Sequence, residues 1–458
     1  EVRLPAYQSD PNRARSLGID TPMGPSTPRI GAIRVLAVLV DFSDKVKTVN
    51  ATFFDTLIFA APVAGRGSVR DYFSEVSYGQ VDIVTVNLPS SLGWRRAPST
   101  YAYYTGGNYC TDAPYPNNCQ KLAEDVVDAI NSVVDYAQYD GDGDGYTEPI
   151  MLIHAGQGAE WTGSPNDIWS HSWGLRTPRN CDGKVIANYI IQPEYWSTVS
   201  STNSDMTIGV FAHEMGHGFW NLPDLYDRDG SSHGIGGWSL MASGSWNGPG
   251  WMGASPAWPD AWSRVQMGFT TASPITSSVT GYGLPQAYNN PAPTITVARL
   301  QSLALEDQEY FLLENRQKVS GSYDEYLPGS GLLIWHVDEA MNVYNKQNDY
   351  ECVTEPHYTC SDTHHYLVAL EQADGLHELE SKTDFADTGD PFPGTTNKTN
   401  WTMATDPESS SWYGSTSLDT CLSVTSISAS GSNLTANIQA CGIPTNLAAS
   451  PISQTQIN

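Results

Sequence analysis

The sequence predicts an α+β protein: a first half of mixed helix and strand organised around one helix, then an antiparallel β-rich half. Three observations carry this. Short β-branched apolar runs alternate with amphipathic helical patterns up to about residue 270. Beyond that point TITVARL, EYFLLENR, GLLIWHV, HYLVALE, LSVTSISAS and LTANIQA alternate with turn signals, as antiparallel strands do. In the first half stands GVFAHEMGHGFWNLPDLYD, Gly209 to Asp227, whose histidines repeat one helical turn apart.

Each element follows in order. Residues 1–30 are rich in Pro, Arg and Ser without an apolar period, and read as a tether or pro-region remnant. IRVLAVLV, Ile33 to Val40, reads as one buried strand. Val69, Tyr72, Phe73 and Val76 have helical spacing, and a new strand begins after them. Gln120 to Asp135 forms an amphipathic helix, PIMLIHAG a buried strand, and Lys184 to Trp196 another strand. Thr207 to Trp220 lacks Pro and runs into Asn-Leu-Pro, so it is a helix that stops there. The expected units are 1–30, a catalytic domain over 31–272, a β-sandwich-like domain over 273–441, and a linker over 442–458. That linker resembles the first strand of a fibronectin type III module, cut before its partners.

Charged residues are only 16% of the chain, and the formal net charge is -27. That acidity repels phosphate backbones and excludes nucleic-acid binding as the expected role. It suits a secreted, extracellular protein that holds calcium. No apolar run reaches the roughly 20 residues of a spanning helix, so no membrane span is expected. The chain opens without an initiator Met and reads as a mature or trimmed form. A monomer is expected. Seven cysteines suggest local disulfides 110–119, 352–360 and 421–441, with Cys181 left over.

His213 and His217, at i and i+4 of a helix, present two imidazoles to one point, and Glu214 lies beside them as a base for a bound water. A catalytic zinc site takes three protein ligands and keeps one position open. Asn221 tolerates the left-handed conformation, and a turn there would fold Asp224 back as the third ligand. Asp227, Asp229 and His233 are alternatives, and a Glu on a following helix is a further one. Met241, in a Gly- and Ser-rich turn, offers an apolar floor under the metal. Tyr226 is a candidate donor to an oxyanion, and the strand Ile186 to Ile191 a candidate edge for an extended peptide.

Asp140, Asp142 and Asp144 alternate with glycines. With the Tyr146 carbonyl and Glu148 they read as a calcium loop, since Ca2+ takes about six to eight hard oxygens. Glu160 is a candidate to complete it. Asp387 and Asp390 are a weaker second candidate.

Several segments together resemble the immune inhibitor A family of secreted metalloproteases, within the metzincin-like group. They are LAVLVDFSD, GSVRDYFSEVSYGQVDI, YDGDGDGYTEPIMLIHAGQGAE, HEMGHGFWNLPDLYD, GWSLMASGSWNG, EYFLLENRQ and GLLIWHVDE. The resemblance implies a metzincin-like catalytic fold and a zinc endopeptidase acting on proteins or peptides. It implies His213 and His217 as zinc ligands, Glu214 as acid/base and Met241 as the Met-turn residue. Asn221 stands where the family has Gly, with one extra residue after His217, so the helix end must differ. The competing expectation is a secreted adhesin or matrix-binding protein on the same fold without turnover. Glu214 argues against it, because a carboxylate beside a metal-bound water has no adhesive use.

Overall fold

The computed structural model describes residues 28–62, 67–288, 296–302, 305, 308–344, 348–351, 364–413 and 419–440. The strands of the first half are β1 (Gly31–Arg34), β2 (Ala37–Asp41), β3 (Val81–Val84), β4 (Arg95–Arg96), β5 (Ile150–Gln157), β6 (His171–Cys181) and β7 (Lys184–Tyr195). Those of the second half are β8 (Ala272–Ile275), β9 (Val279–Pro285), β10 (Val297–Leu300), β11 (Glu309–Arg316), β12 (Gly331–Asp338), β13 (Val368–Leu370), β14 (Ser423–Thr425) and β15 (Asn433–Gln439).

The first half is built on one mixed sheet in the order β4-β2-β5-β7-β6. Its pairings are parallel except β6 with β7, which is antiparallel. All of β2 is buried, and β5 is buried as far as Gly156. Strands covered on both faces read as continuous apolar runs, which is why these two were legible. The expected single strand Ile33 to Val40 is in fact two. β1 pairs with β3 in a separate two-stranded sheet, and β2 joins the large one. The run, interrupted only by Arg34, carries no Gly or Pro to mark such a crossing.

The helix Val69–Val76 buries all four residues named from its spacing, and the Ser68 side chain caps its start by accepting from the Asp71 amide. The helix Cys119–Ile130 is capped by Asn118 and ends five residues earlier than its pattern suggested. The amides of Val133 and Val134 turn back to the Ile130 carbonyl, as expected where β-branched residues weaken a helix end. A disulfide joins Cys110 to Cys119, the first residue of that helix. Cys421 is also disulfide-bonded, while Cys352, Cys360 and Cys441 lie outside the described residues. Cys181 is free.

The second half contains a sheet of order β13-β12-β11-β10-β8 and a three-stranded sheet β14-β15-β9. These are antiparallel apart from β8 with β10. The pattern changes near residue 272, yet the apolar core continues across it. One buried cluster runs from Val69 and Phe73 through Met215, Trp220, Met241 and Trp258 to Leu333 and Trp335. Residues 1–27 of the tether and the fibronectin-like tail lie outside the described residues.

Candidate metal centre

The helix Gly209–Trp220 carries the two histidines, and ten of its twelve residues are buried. It stops at Asn221, which adopts the left-handed conformation at φ 53°. Asn takes this conformation at lower cost than other side-chain-bearing residues. The amides of Asn221 and Leu222 close the helix on the carbonyls of His217 and Gly216. The chain therefore reverses, and Asp224 returns to the helix face. Its Oδ1 lies 3.2 Å from His213 Nε2 and 3.0 Å from His217 Nε2, and the two Nε2 atoms are 3.0 Å apart.

The protonation pattern follows from the outer nitrogens. His213 Nδ1 faces the Leu240 carbonyl at 2.9 Å, and His217 Nδ1 faces the Leu222 carbonyl at 2.6 Å. A carbonyl only accepts, so each Nδ1 carries a hydrogen, and in the neutral form that a metal requires each ring would turn its Nε2 lone pair inward. Two imidazole nitrogens and one carboxylate oxygen thus converge within 3.2 Å of one another. Ligands at about 2.0–2.1 Å around a tetrahedral zinc are separated by about 3.3 Å, so this triangle fits one face of such a site. Burial raises the Asp224 carboxyl, but in the absence of a metal the positive charge and hydrogen bonds of His217 and His213 outweigh it and hold the carboxyl far below the usual range; a cation among neutral rings would keep it ionised in the same way.

Glu214 follows His213 and lines the same cavity, with Oε2 buried and without a hydrogen-bond partner among the described residues. Burial pushes its pKa up to about 8, against the pull of His213. Met241 is fully buried beneath the helix. A Cβ on Gly216 would lie 2.5 Å from the Met241 sulfur, so only glycine lets the helix sit this close. The Tyr226 ring stacks on the His213 ring at 6.2 Å and also lines the cavity.

The opposite wall was not legible in the sequence. It comes from Glu160, Trp169, Ser170, His171 and Ser172, which lead into β6. Glu160, expected at the calcium loop, is here instead, held by the Ser170 amide and hydroxyl and pushed up to about 7 by burial. Nothing local marks these residues, because only the register of β6 on β7 brings them to the helix. The edge expected at Ile186 to Ile191 is also corrected. Those residues belong to β7, which is internal between β5 and β6, and the edge strand is β6.

The alternative ligands do not gather here. Asp227 accepts from the amides of Asp229, Gly230 and Ser232 and builds its own loop. Asp229 accepts from the Ser231 amide. His233 stacks on Phe385 at 3.8 Å, and burial pushes it down to about 4. At the acidic loop, oxygens of Asp140, Asp142 and Asp144 lie within 4.8 Å of one another. Glu148 does not join them: its carboxylate pairs with Arg29. Asp140 accepts from the amides of Gly143 and Gly145 and pairs with Lys184 at 2.6 Å. The Tyr146 side chain is 52% exposed.

Residues 27–271 match the model of the immune inhibitor A peptidase M6 catalytic domain. The chain belongs to this peptidase family. The match takes in the large sheet, the helix with its two histidines, Asp224 and Met241, and ends just before β8. Pre-pro-metalloprotease PrtV of Vibrio cholerae serotype O1 is 28% identical over 294 residues, covering 50% of this chain and 30% of that protein. Immune inhibitor A of Bacillus thuringiensis subsp. alesti is 34% identical over 214 residues, covering 39% of this chain and 28% of that protein. The matched part therefore spans less than a third of either relative's length.

Proposed function

We propose that this peptidase M6 chain is a secreted, zinc-dependent endopeptidase that hydrolyses peptide bonds in proteins. The observation that carries the reading is the convergence of two inward-facing imidazole nitrogens and one ionised carboxylate beside an unpartnered Glu214 oxygen. His213, His217 and Asp224 would hold the ion. Held by these three residues, zinc would lower the pKa of a bound water from about 15.7 towards 7 and would polarise a carbonyl. Glu214 takes the proton of the attacking water on its free Oε2 and delivers it to the departing amine. Its position in the same cavity as the three ligands puts it within reach of that proton.

Met241 supports the helix from below, and the Tyr226 hydroxyl serves as the donor to the developing oxyanion. β6 pairs only with β7 among the described residues, and its first residues, His171 and Ser172, line the cavity. An extended substrate would add to its open side by backbone hydrogen bonds, placing the scissile bond above Glu214. The acidic loop Asp140–Tyr146 would hold calcium through three carboxylates and the Tyr146 carbonyl, without Glu148. A disulfide at Cys110–Cys119 suits an oxidising, extracellular setting. No described helix is long and apolar enough to cross a membrane.

Digestion of casein or gelatin tests this reading. Activity is expected to vanish with a zinc chelator, to return with zinc, and to be lost in Glu214→Ala. Full activity in Glu214→Ala would sink it.

A further inference from the structure

A second acidic cluster lies in the β-rich half. Asp374, Glu378, Asp387 and Asp390 each bring a carboxylate oxygen within 4.8 Å of the others. Acidic clusters are common without an ion, so the decisive observation is the state of the buried oxygens. Asp390 is only 1% exposed. Its Oδ2 accepts from Trp238 Nε1 at 2.8 Å and from the Asp387 amide at 3.0 Å. Its Oδ1 is buried and has no donor among the described residues, and the same holds for Glu378 Oε2. Burial pushes Asp390 up to about 8, with Asp374 and Asp387 adding to the rise. Burial likewise raises Glu378, and every charge contributing to that rise is another carboxylate: Asp387, Asp374 and Asp384. A buried acceptor without a donor, among like charges, calls for a cation or a proton.

We infer that Asp374, Glu378, Asp387 and Asp390 form a calcium site that clamps the strap between Asp224 and Met241 against the β-rich half. Chemistry selects the ion. The donors are all hard oxygens, with no imidazole or thiol, which disfavours zinc. Oxygens on opposite sides of a calcium ion at about 2.4 Å lie about 4.8 Å apart, so four oxygens that all lie within that distance of one another can share one ion. Magnesium needs shorter bonds of about 2.0–2.1 Å and retains several waters, so it suits four converging carboxylates poorly.

The clamp's target is the neighbouring chain. The His233 amide donates to the Leu379 carbonyl and the Gly237 amide to the Phe385 carbonyl, each at 2.8 Å. Trp238 donates to Asp390 itself. This strap is in turn joined to the metal centre, because the Leu225 amide donates to the Met241 carbonyl and the Ile235 amide to the Leu225 carbonyl. The site rests on its own oxygens and holds whether or not the chain cleaves peptides.

The experiment uses the full zinc-loaded chain carrying Glu214→Gln to prevent self-digestion, with Asp142→Asn and Asp144→Asn to silence the other acidic loop. Calcium added after dialysis into calcium-free buffer should raise the Tm by several degrees and slow hydrogen exchange at the His233 and Gly237 amides several-fold. Terbium should luminesce when tryptophan is excited. Glu378→Gln, together with Asp374→Asn, should abolish all three effects; both residues are partly exposed, so the variant should fold even where Asp390→Asn does not. A Tm indifferent to calcium, or calcium and terbium responses that survive Glu378→Gln with Asp374→Asn, would overturn the site. So would Asp390→Asn as stable as its parent and equally indifferent to calcium, which would show that a proton serves there.

Discussion

The histidine helix and the acidic loop Asp140–Glu148 were equally conspicuous in the sequence, but the structure treats their donor atoms differently. At the helix, backbone carbonyls occupy the outer nitrogens of His213 and His217 and leave the inner lone pairs facing one another. At the loop, backbone amides and Lys184 already occupy the Asp140 oxygens, and an amide holds one oxygen each of Asp142 and Asp144. The helix site is buried at His213 and half-buried at His217 and Asp224, whereas Asp142 and Asp144 are exposed. Spacing gathers ligands in both places, but the surrounding groups decide how strongly each gathering needs an ion. A buried set of facing acceptors without a cation is costly, while an exposed set bonded to amides and water is not.

The largest effect that would break this comparison is on turnover. Glu214→Ala should lower kcat by about a thousand-fold with zinc content unchanged, measured by peptide hydrolysis alongside metal analysis. An unchanged kcat would place the proton shuttle elsewhere. Next in size, Asp224→Ala should weaken zinc binding by about a hundred-fold or more in competition with a chelating dye, because it removes one of the three proposed ligands. Asp142→Asn should leave zinc affinity untouched in the same assay.

Three further predictions concern stability. Gly216→Ala should cost roughly 1–3 kcal/mol in denaturant unfolding, because its Cβ meets the Met241 sulfur. The second contrasts the facing histidines with a buried one that has no partner charge. Burial pushes His154 down to about 3, so in the folded state it remains neutral where the unfolded chain protonates. Its contribution to stability is complete above about pH 6.5 and is lost as pH falls towards the folded value, at about 1.4 kcal/mol per unit. Between pH 7 and pH 5 the stability of His154→Gln should therefore fall by about 2 kcal/mol less than that of the parent. Equal falls would mean that His154 is charged in the fold. The smallest contrast is at the helix end. Asn221→Ala should cost about 1 kcal/mol and Asn221→Gly almost nothing, since only the former puts a side chain without a local hydrogen-bonding group at φ 53°.

Periodicity found the elements that are buried on a regular face. Val69, Tyr72, Phe73 and Val76 all point into the core, and β5 and the site helix lie where their patterns put them. It failed where the chain changes partner without changing composition. The run Ile33 to Val40 divides between two sheets, and the expected edge at Ile186 to Ile191 is an inner strand. Glu148 and Glu160 show the same limit for single side chains. Both looked available to the acidic loop, and each is claimed by a group far along the chain or by another cavity.

What the sequence determined by itself was the local geometry of the two histidines, the residue type of Glu214 and the left-handed stop at Asn221, because these depend on helical pitch and on the allowed φ and ψ of one residue. Only the tertiary structure decided which strand is the edge, which acids retain free oxygens, and that Trp238 meets Asp390 across 152 positions. Such outcomes depend on which distant backbone groups reach each polar atom first, and no local pattern of side chains encodes that.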